Sequence, residues 1–247
     1  ASKNKKHNSL DSLTKSYNLA KERLITGIIT LPINKYKIMS VKKKFIDQTE
    51  YYGNLNKKKS HMILYSKKII VSPLTSHIPV NKIKNFINKK FIEKKIYIII
   101  NSLKNDFNIN FPKIIVSGLN PHSGENGRIG NEEINILIPI IKKLKKRRIL
   151  IDGPVSSDSI FTDYNINKYD CIITTYHDQA LIPFKLINEF NGVNYTGSLD
   201  IIRTSPAHGT AYDLIDMKNA NDKSLINSFI LAEKIYKNRM RYKVATS

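Results

Sequence analysis

Short apolar runs, none longer than a β-strand, alternate along this chain with stretches whose apolar residues recur every three or four positions. That alternation restricts the fold more than any other feature, because it calls for strands covered by crossing helices. Residues 9–23 read as an amphipathic helix with Leu10, Leu13, Tyr17, Ala20 and Leu24 on one face, followed by a short buried strand at 24–29. Residues 31–52 read as irregular and polar, broken by Pro32. Two strands at 61–65 and 68–72 flank Ser66-Lys67 as a hairpin. Helical periodicity returns over 81–106, divisible into two helices, and a strand is predicted at 113–117. The glycine-rich stretch 118–130 reads as a loop. A helix over 131–146 follows, with Asn131 as its N-cap and Glu132 and Glu133 in its first turn, where the helix dipole favours acids. Strands at 149–152 and 170–175 and a closing helix over 223–242, with Leu225, Phe229, Ala232 and Tyr236 sharing a face, complete the pattern. It predicts an α/β architecture with a largely parallel sheet flanked by helices.

With 247 residues the chain can bury a sizeable core, and no apolar run approaches the ~18 residues of a membrane span. The single cysteine, Cys171, cannot form an internal disulfide, and the polar, basic start has no signal-peptide core. Both features point to the cytoplasm. The sequence opens on Ala1 rather than Met, which raises the expectation of a trimmed front. Lys and Arg outnumber Asp and Glu by 41 to 20, for a formal charge of +21. The lysines are dispersed, however, and no aromatic residues interleave with them as a nucleic-acid stacking surface requires. A phosphorylated small molecule fits this charge better than a nucleic acid.

Three histidines sit where strands end: His77, His122 and His177. Open α/β sheets bind ligands at the carboxyl ends of their strands. Neutral imidazole is a common ligand for zinc and related ions, and three of them leave a position open for substrate. The spacing matches no short metal motif, so hydrogen-bonded structural histidines remain the other reading. The loop 118–130 is either a phosphate cradle, its glycines letting backbone N–H groups approach an anion, or a surface turn. Lys185, Asn194 and Arg203 are polar residues in apolar surroundings. Arg203 is placed either to clamp a phosphate with two hydrogen bonds or to pair with Asp200 at a strand end.

These segments occur in a fixed order: Leu119-Asn120-Pro121-His122, then Tyr176-His177-Asp178-Gln179, then Arg203-Thr204-Ser205 and His208-Gly209-Thr210-Ala211. Together they closely resemble the 4-hydroxythreonine-4-phosphate dehydrogenase (PdxA) family. Residues 32–35, 48–51 and 75–79 also fall in family order, so the resemblance spans nearly the whole chain. It implies an isocitrate/isopropylmalate dehydrogenase-like fold with two lobes around a cleft. It also implies a homodimer in which the second subunit supplies a ligand to a divalent metal (zinc, magnesium or cobalt). The implied reaction is NAD(P)-linked oxidation of 4-phosphooxy-L-threonine, followed by decarboxylation to 3-amino-2-oxopropyl phosphate in vitamin B6 biosynthesis. By the same resemblance His77, His122 and His177 are the metal ligands. Gln48, Thr49, Lys185, Asn194 and Arg203 contact substrate, and Asp158 is an acidic residue near the metal that orients a ligand or relays a proton. His208, Gly209, Thr210, Ala211, Asp213 and Asn221 match the adenosine-binding loop. Asp213 would accept ribose hydroxyls and repel a 2′-phosphate, which leans toward NAD over NADP. The same stretch also reads as a helix N-terminus capped by Thr210.

Two departures from the family pattern stand out. Family members carry Gly-His-Thr-Glu where this chain has Asp47-Gln48-Thr49-Glu50, and glutamine can donate a hydrogen bond but carries no proton or charge. The family's N-terminal Gly-Glu/Asp-Pro-Ala-Gly-Ile-Gly-Pro segment has no counterpart here, so the resemblance begins inside the family domain. These departures keep two alternatives open: a dehydrogenase of phosphorylated threonate or erythronate, and a shortened, non-catalytic metal- or phosphate-binding relative.

Overall fold

The computed structural model describes residues 8–34, 38–39, 45–210 and 221–246. In chain order its main elements are α1 (Asn8–Lys21), β1 (Ile28–Ile29), α2 (Gln48–Leu55), β2 (His61–Tyr65), β3 (Ile70–Pro73) and α3 (Lys89–Asn105). There follow β4 (Ile114–Ser117), α4 (Ile138–Lys146), β5 (Ile151–Val155), α5 (Asp163–Lys168), β6 (Cys171–Thr174) and α6 (His177–Asn188), then β7 (Val193–Gly197), β8 (Arg203–Pro206) and α7 (Lys223–Thr246). The chain divides into two compact units, residues 1–62 with 190–247, and residues 63–189.

In the first unit β1 runs parallel to β8, and β8 antiparallel to β7. Leu13 and Tyr17 of α1 enter a buried cluster with Ile28, Phe45, Tyr52, Leu199 and Ile201, and Leu10 and Ala20 pack at its edge. Arg23 takes a left-handed conformation (φ 61°) just past the helix. The predicted face therefore loses Leu24, which is 68% exposed, and the expected strand shrinks to Ile28–Ile29. The stretch 31–52, expected to be irregular, contains the start of α2. Its cap is Asp47, which accepts the Glu50 N–H at 2.7 Å. The closing helix turns a different face inward from the one expected. Ser224, Ser228, Leu231, Ala232, Ile235 and Asn238 are buried, while Phe229 is 58% exposed. Small serines let α7 lie close against β8, where Thr204 donates to the Ser228 carbonyl (3.0 Å). Arg239 secures the helix by donating to the carbonyls of Leu199, Asp200 and Ile201.

The second unit holds five strands in the order β2-β3-β6-β4-β5. The β2–β3 pair is the expected hairpin, antiparallel with Leu64 opposite Val71. The pairs β3–β6, β6–β4 and β4–β5 are all parallel. Every residue of β3, β4 and β6 is buried, as strands covered on both faces require. Helix α3 is capped by Asn88, which accepts from the Phe91 N–H, and buries Ile92, Ile96, Ile99, Ile100 and Leu103 along one stripe. Helices α5 and α6 were not anticipated. The helix expected over 131–146 begins with a wide π turn at Glu133–Leu137 before α4, and no side-chain cap from Asn131 forms at its start. No helix among the described residues is long and apolar enough to cross a membrane.

Candidate active site

The three histidines follow the carboxyl ends of three adjacent parallel strands. His77 comes four residues after β3, His122 five after β4 and His177 three after β6, as its helix begins. The rings of His77 and His177 stand 5.5 Å apart, centroid to centroid. His177 Nδ1 lies 2.8 Å from Asp178 Oδ1, a partner that favours the N–H at Nδ1 and leaves the Nε2 lone pair outward. His122 is exposed, and no group of three or more His, Cys, Asp or Glu among the described residues is close enough to hold a metal. Within one chain the structure thus brings two of the predicted ligands together, and His122 does not complete the set. Two imidazoles, one of them oriented by a carboxylate, are chemically suited to zinc or cobalt as a partial donor set, and less so to magnesium, which prefers oxygen ligands.

Gln179 ties these loops to one another. Its Nε2 donates to the Gly118 carbonyl (3.1 Å) and Ser157 Oγ (2.8 Å). Its Oε1 accepts from the Thr175 N–H (3.1 Å), Thr175 Oγ1 (2.6 Å) and Ser117 Oγ (3.3 Å). Thr75, two residues before His77, donates through both its N–H and its hydroxyl to the Thr175 carbonyl. The Gln179 side chain stands in the quoted Tyr-His-Asp-Gln motif, yet its bridging role carries no signal in spacing alone.

The glycine-rich loop is not an open phosphate cradle. Its backbone N–H groups at Leu119 and Asn120 both donate to Glu133 Oε1, at 2.7 and 2.8 Å, so a protein carboxylate already occupies the anion's place. Residues 122–127 all adopt left-handed conformations, with φ between 44° and 89°. For non-glycine residues such backbone costs roughly 1–2 kcal/mol each, and it persists only where surrounding contacts enforce it. The acids expected to serve the helix dipole are instead turned toward this loop. Asn120 Nδ2 donates to both Glu132 and Glu133, at 2.8 Å each.

In the first unit Arg203 is 3% exposed, at the start of β8. Its guanidinium donates to Thr30 Oγ1 from Nε and Nη2 (2.9 and 2.5 Å) and to Thr49 and Thr196 hydroxyls from Nη1 (3.2 and 2.9 Å). A fifth bond runs from Nη2 to Gln48 Oε1 (3.0 Å). Among the described residues every hydrogen-bond partner is a neutral oxygen. The alternative pairing with Asp200 is not made, because Asp200 pairs with Lys58 at 2.5 Å. Burial holds the Arg203 guanidinium down to about 10, well below its ordinary range. The Gln48 amide is committed at both ends, since its Nε2 also donates to the Leu31 carbonyl (3.0 Å). Asn194, on β7 opposite Ser205, carries a buried Oδ1 that no group among the described residues satisfies. Such an orphan acceptor is expensive unless a ligand supplies the donor. Thr30 and Thr196 belong to this site but escaped the sequence reading, as isolated threonines carry no pattern.

The remaining candidates are more exposed. Lys185, on α6 in the second unit, is exposed and has no ion pair among the described residues. Asp158 is also exposed, and its carboxyl is held below the usual carboxylate range by a Ser156 hydrogen bond, opposed by desolvation and assisted by the nearby His122. A carboxylate kept ionised in this way suits orientation better than proton uptake. His208, Gly209 and Thr210 are exposed, and a β-carbon on Gly209 would meet nothing within 4 Å, so this stretch is open to an approaching group. Asn221 Oδ1 accepts the Lys223 N–H (3.0 Å) at the start of α7. Ala211 and Asp213 lie outside the described residues.

Polar chemistry gathered at the carboxyl ends of parallel strands is the habit of α/β proteins that handle small molecules, and this chain is of that class. Its particular kinship is resolved by comparison. The family model described as "Pyridoxal phosphate biosynthetic protein PdxA" matches residues 1–232, and the chain belongs to that family. It is 41% identical over 241 residues to a 4-hydroxythreonine-4-phosphate dehydrogenase of Bacteroides thetaiotaomicron, covering 96% of this chain and 66% of that one. It is 37% identical to the Zymomonas mobilis protein of the same name, covering 94% and 70%. The crystal structure of the Klebsiella pneumoniae 4-hydroxythreonine-4-phosphate dehydrogenase superposes with a TM-score of 0.77 at 33% identity, covering 91% of this chain and 68% of that one. The chain thus spans about two thirds of the length of these relatives.

Proposed function

We propose that this chain provides the substrate- and metal-binding machinery of a 4-hydroxythreonine-4-phosphate dehydrogenase. The substrate alcohol gives a hydride to NAD(P)+ and loses its proton, and the resulting 3-oxo acid releases carbon dioxide to leave 3-amino-2-oxopropyl phosphate. The observation that carries this reading is the buried Arg203 cation, whose hydrogen bonds among the described residues all go to neutral oxygens, with the Asp47 carboxylate near enough to favour its charged form, so that it keeps donors and charge for an incoming phosphate.

The hydroxyls of Thr30, Thr49 and Thr196 accept from Arg203, which orients their own O–H groups to donate onward. In this reading those hydroxyls grip phosphate oxygens while Arg203 supplies the field behind them. The orphan Oδ1 of Asn194 accepts a donor of the substrate, such as its ammonium. Lys185 adds a mobile positive charge by the family resemblance. His77 and His177 would hold a divalent ion in one chain, with His122 of a second copy as the third ligand, which makes the active form a homodimer. A divalent ion held there would supply Lewis acidity toward the substrate's hydroxyl oxygen and the negative charge that develops on it. The stretch 208–210 would face the nicotinamide cofactor's adenosine.

Steady-state NADH formation at 340 nm tests the reading, with 4-phosphooxy-L-threonine compared against phosphorylated threonate and erythronate in the presence of zinc, magnesium or cobalt. Turnover that needs a divalent ion and favours the amino acid supports it. Greater efficiency on the sugar acids overturns it in favour of the second reading, which Gln48 in place of the family histidine supports.

A further inference from the structure

We propose that Glu133 is a positioning residue for His122: its buried carboxylate holds the loop in the left-handed turn that carries this imidazole to the metal of a paired copy. The inference rests on the reading that His122 serves a second copy.

Glu133 is fully buried, and its two oxygens are committed to the loop. Oε1 accepts the N–H groups of Leu119 and Asn120, and Oε2 accepts Asn120 Nδ2. The glycines leave space for it. A β-carbon on Gly124 would lie 2.8 Å from Oε2, and one on Gly118 would lie 3.1 Å from Oε1. The π turn at Glu133–Leu137 starts the helix on this residue. Directly beyond the anchored pair, His122, Ser123, Glu125 and Asn126 hold left-handed backbone that side-chain-bearing residues seldom adopt. Something outside the turn must enforce that conformation, and the Glu133 carboxylate is the polar group that grips its entrance. Positioning of this kind commonly governs metal affinity by ten- to a hundredfold.

Metal affinity and stoichiometry of the full chain, read by calorimetry and by the visible spectrum of bound cobalt, test the proposal. E133Q keeps the shape but turns an amide toward donors, so it should bind cobalt about 10- to 100-fold more weakly than the parent, with its circular dichroism unchanged. Mixed dimers then separate positioning from a general loss of structure. E133Q paired with H177A should regain one tight ion per dimer, because its own His77 and His177 meet a correctly held His122 from the partner. E133Q paired with H122A should not. If E133Q does not fold, N120A, which removes one of the carboxylate's donors, should show the same pairing pattern in weaker form. Parent-like affinity in E133Q, or recovery in both pairings, overturns the proposal and leaves the metal reading standing. Parent-like affinity in H122A overturns the shared site itself, and the proposal with it.

Discussion

At the scale of single residues, Arg203 shows what a buried charge is for. Its burial disfavours the charged form, and the proton is still held up to about pH 10. Below that pH the folded and unfolded chains both carry it, so the cost of burying it is fully present. Above about 10 the unfolded chain holds the proton more tightly, so stability should rise with pH there. Anion affinity should do the opposite and fall above pH 10, as the charge disappears. R203M should weaken phosphate binding about 10- to 100-fold, the scale of a lost hydrogen bond to a charged group, and abolish the rise in melting temperature that phosphate gives the parent. An unchanged phosphate-induced shift in R203M would rule out the cage as the anion site. Gln179 permits a second test. Q179E has the same size but presents an acceptor to the Gly118 carbonyl and Ser157, so it should lower stability by about 1–3 kcal/mol and weaken divalent-ion binding. Stability and metal affinity both equal to the parent's would show that the strand-end loops do not depend on it. These residues differ in how far the sequence betrayed them. Arg203 and Asn194 stand out as polar groups in apolar surroundings, and the histidines by their place where strands end. Glu133, Thr30 and Thr196 do not, because their importance lies in contacts made across distant parts of the chain.

Elements were legible where burial is periodic and obscure where capping or proline decides. The strands β3, β4 and β6 are wholly buried and each holds two or three consecutive aliphatic residues, and α3 repeats isoleucine at helical spacing, so each could be read directly. Helix α2 is short and contains glycine and asparagine. The usable sign was Asp47 three residues before Glu50, which resembles a capping box. Helix α6 contains Pro183, which hides its periodicity even though the helix tolerates it. The left-handed run after Asn120 had no readable signature beyond its glycines. Between elements, Asp152 on β5 links α4 to the segment before β6 by accepting from Lys145 (2.6 Å) and the Tyr169 hydroxyl (2.8 Å). Lys145 first, then Tyr169, hold its carboxyl below the ordinary 3.8 despite partial burial. The stability it contributes is therefore complete above that value and is lost as pH falls through its lowered one. The pair is about half exposed, so D152N should cost no more than about 1 kcal/mol at pH 7. Thermal melts should show the gap between parent and variant closing below pH 4. A gap that persists in acid would mean that the carboxyl charge is not its source.

The whole molecule is divided unevenly by its own connectivity. The first unit is assembled from both ends of the chain, whereas the second is one uninterrupted stretch from 63 to 189. Its core (Ile92, Ile96, Leu103, Ile114, Ile172 and Leu144 among others) comes from within that stretch, as do the parallel strands and the helices packed on them. A segment of that size can bury enough apolar surface to fold alone. Residues 60–189, which keep β2 whole, should therefore give a cooperative thermal transition and a mixed helix–strand circular dichroism spectrum. The histidine pair and the Gln179 tether both lie inside it, so the fragment should retain measurable but weakened affinity for cobalt or zinc. It lacks Arg203, Thr30, Thr49 and Thr196, so phosphate should not raise its melting temperature. A fragment that melted without cooperativity would show that the second unit needs the first to fold. A fragment that folded and gained stability from phosphate would place an anion site among its own residues and remove the main support for the Arg203 cage.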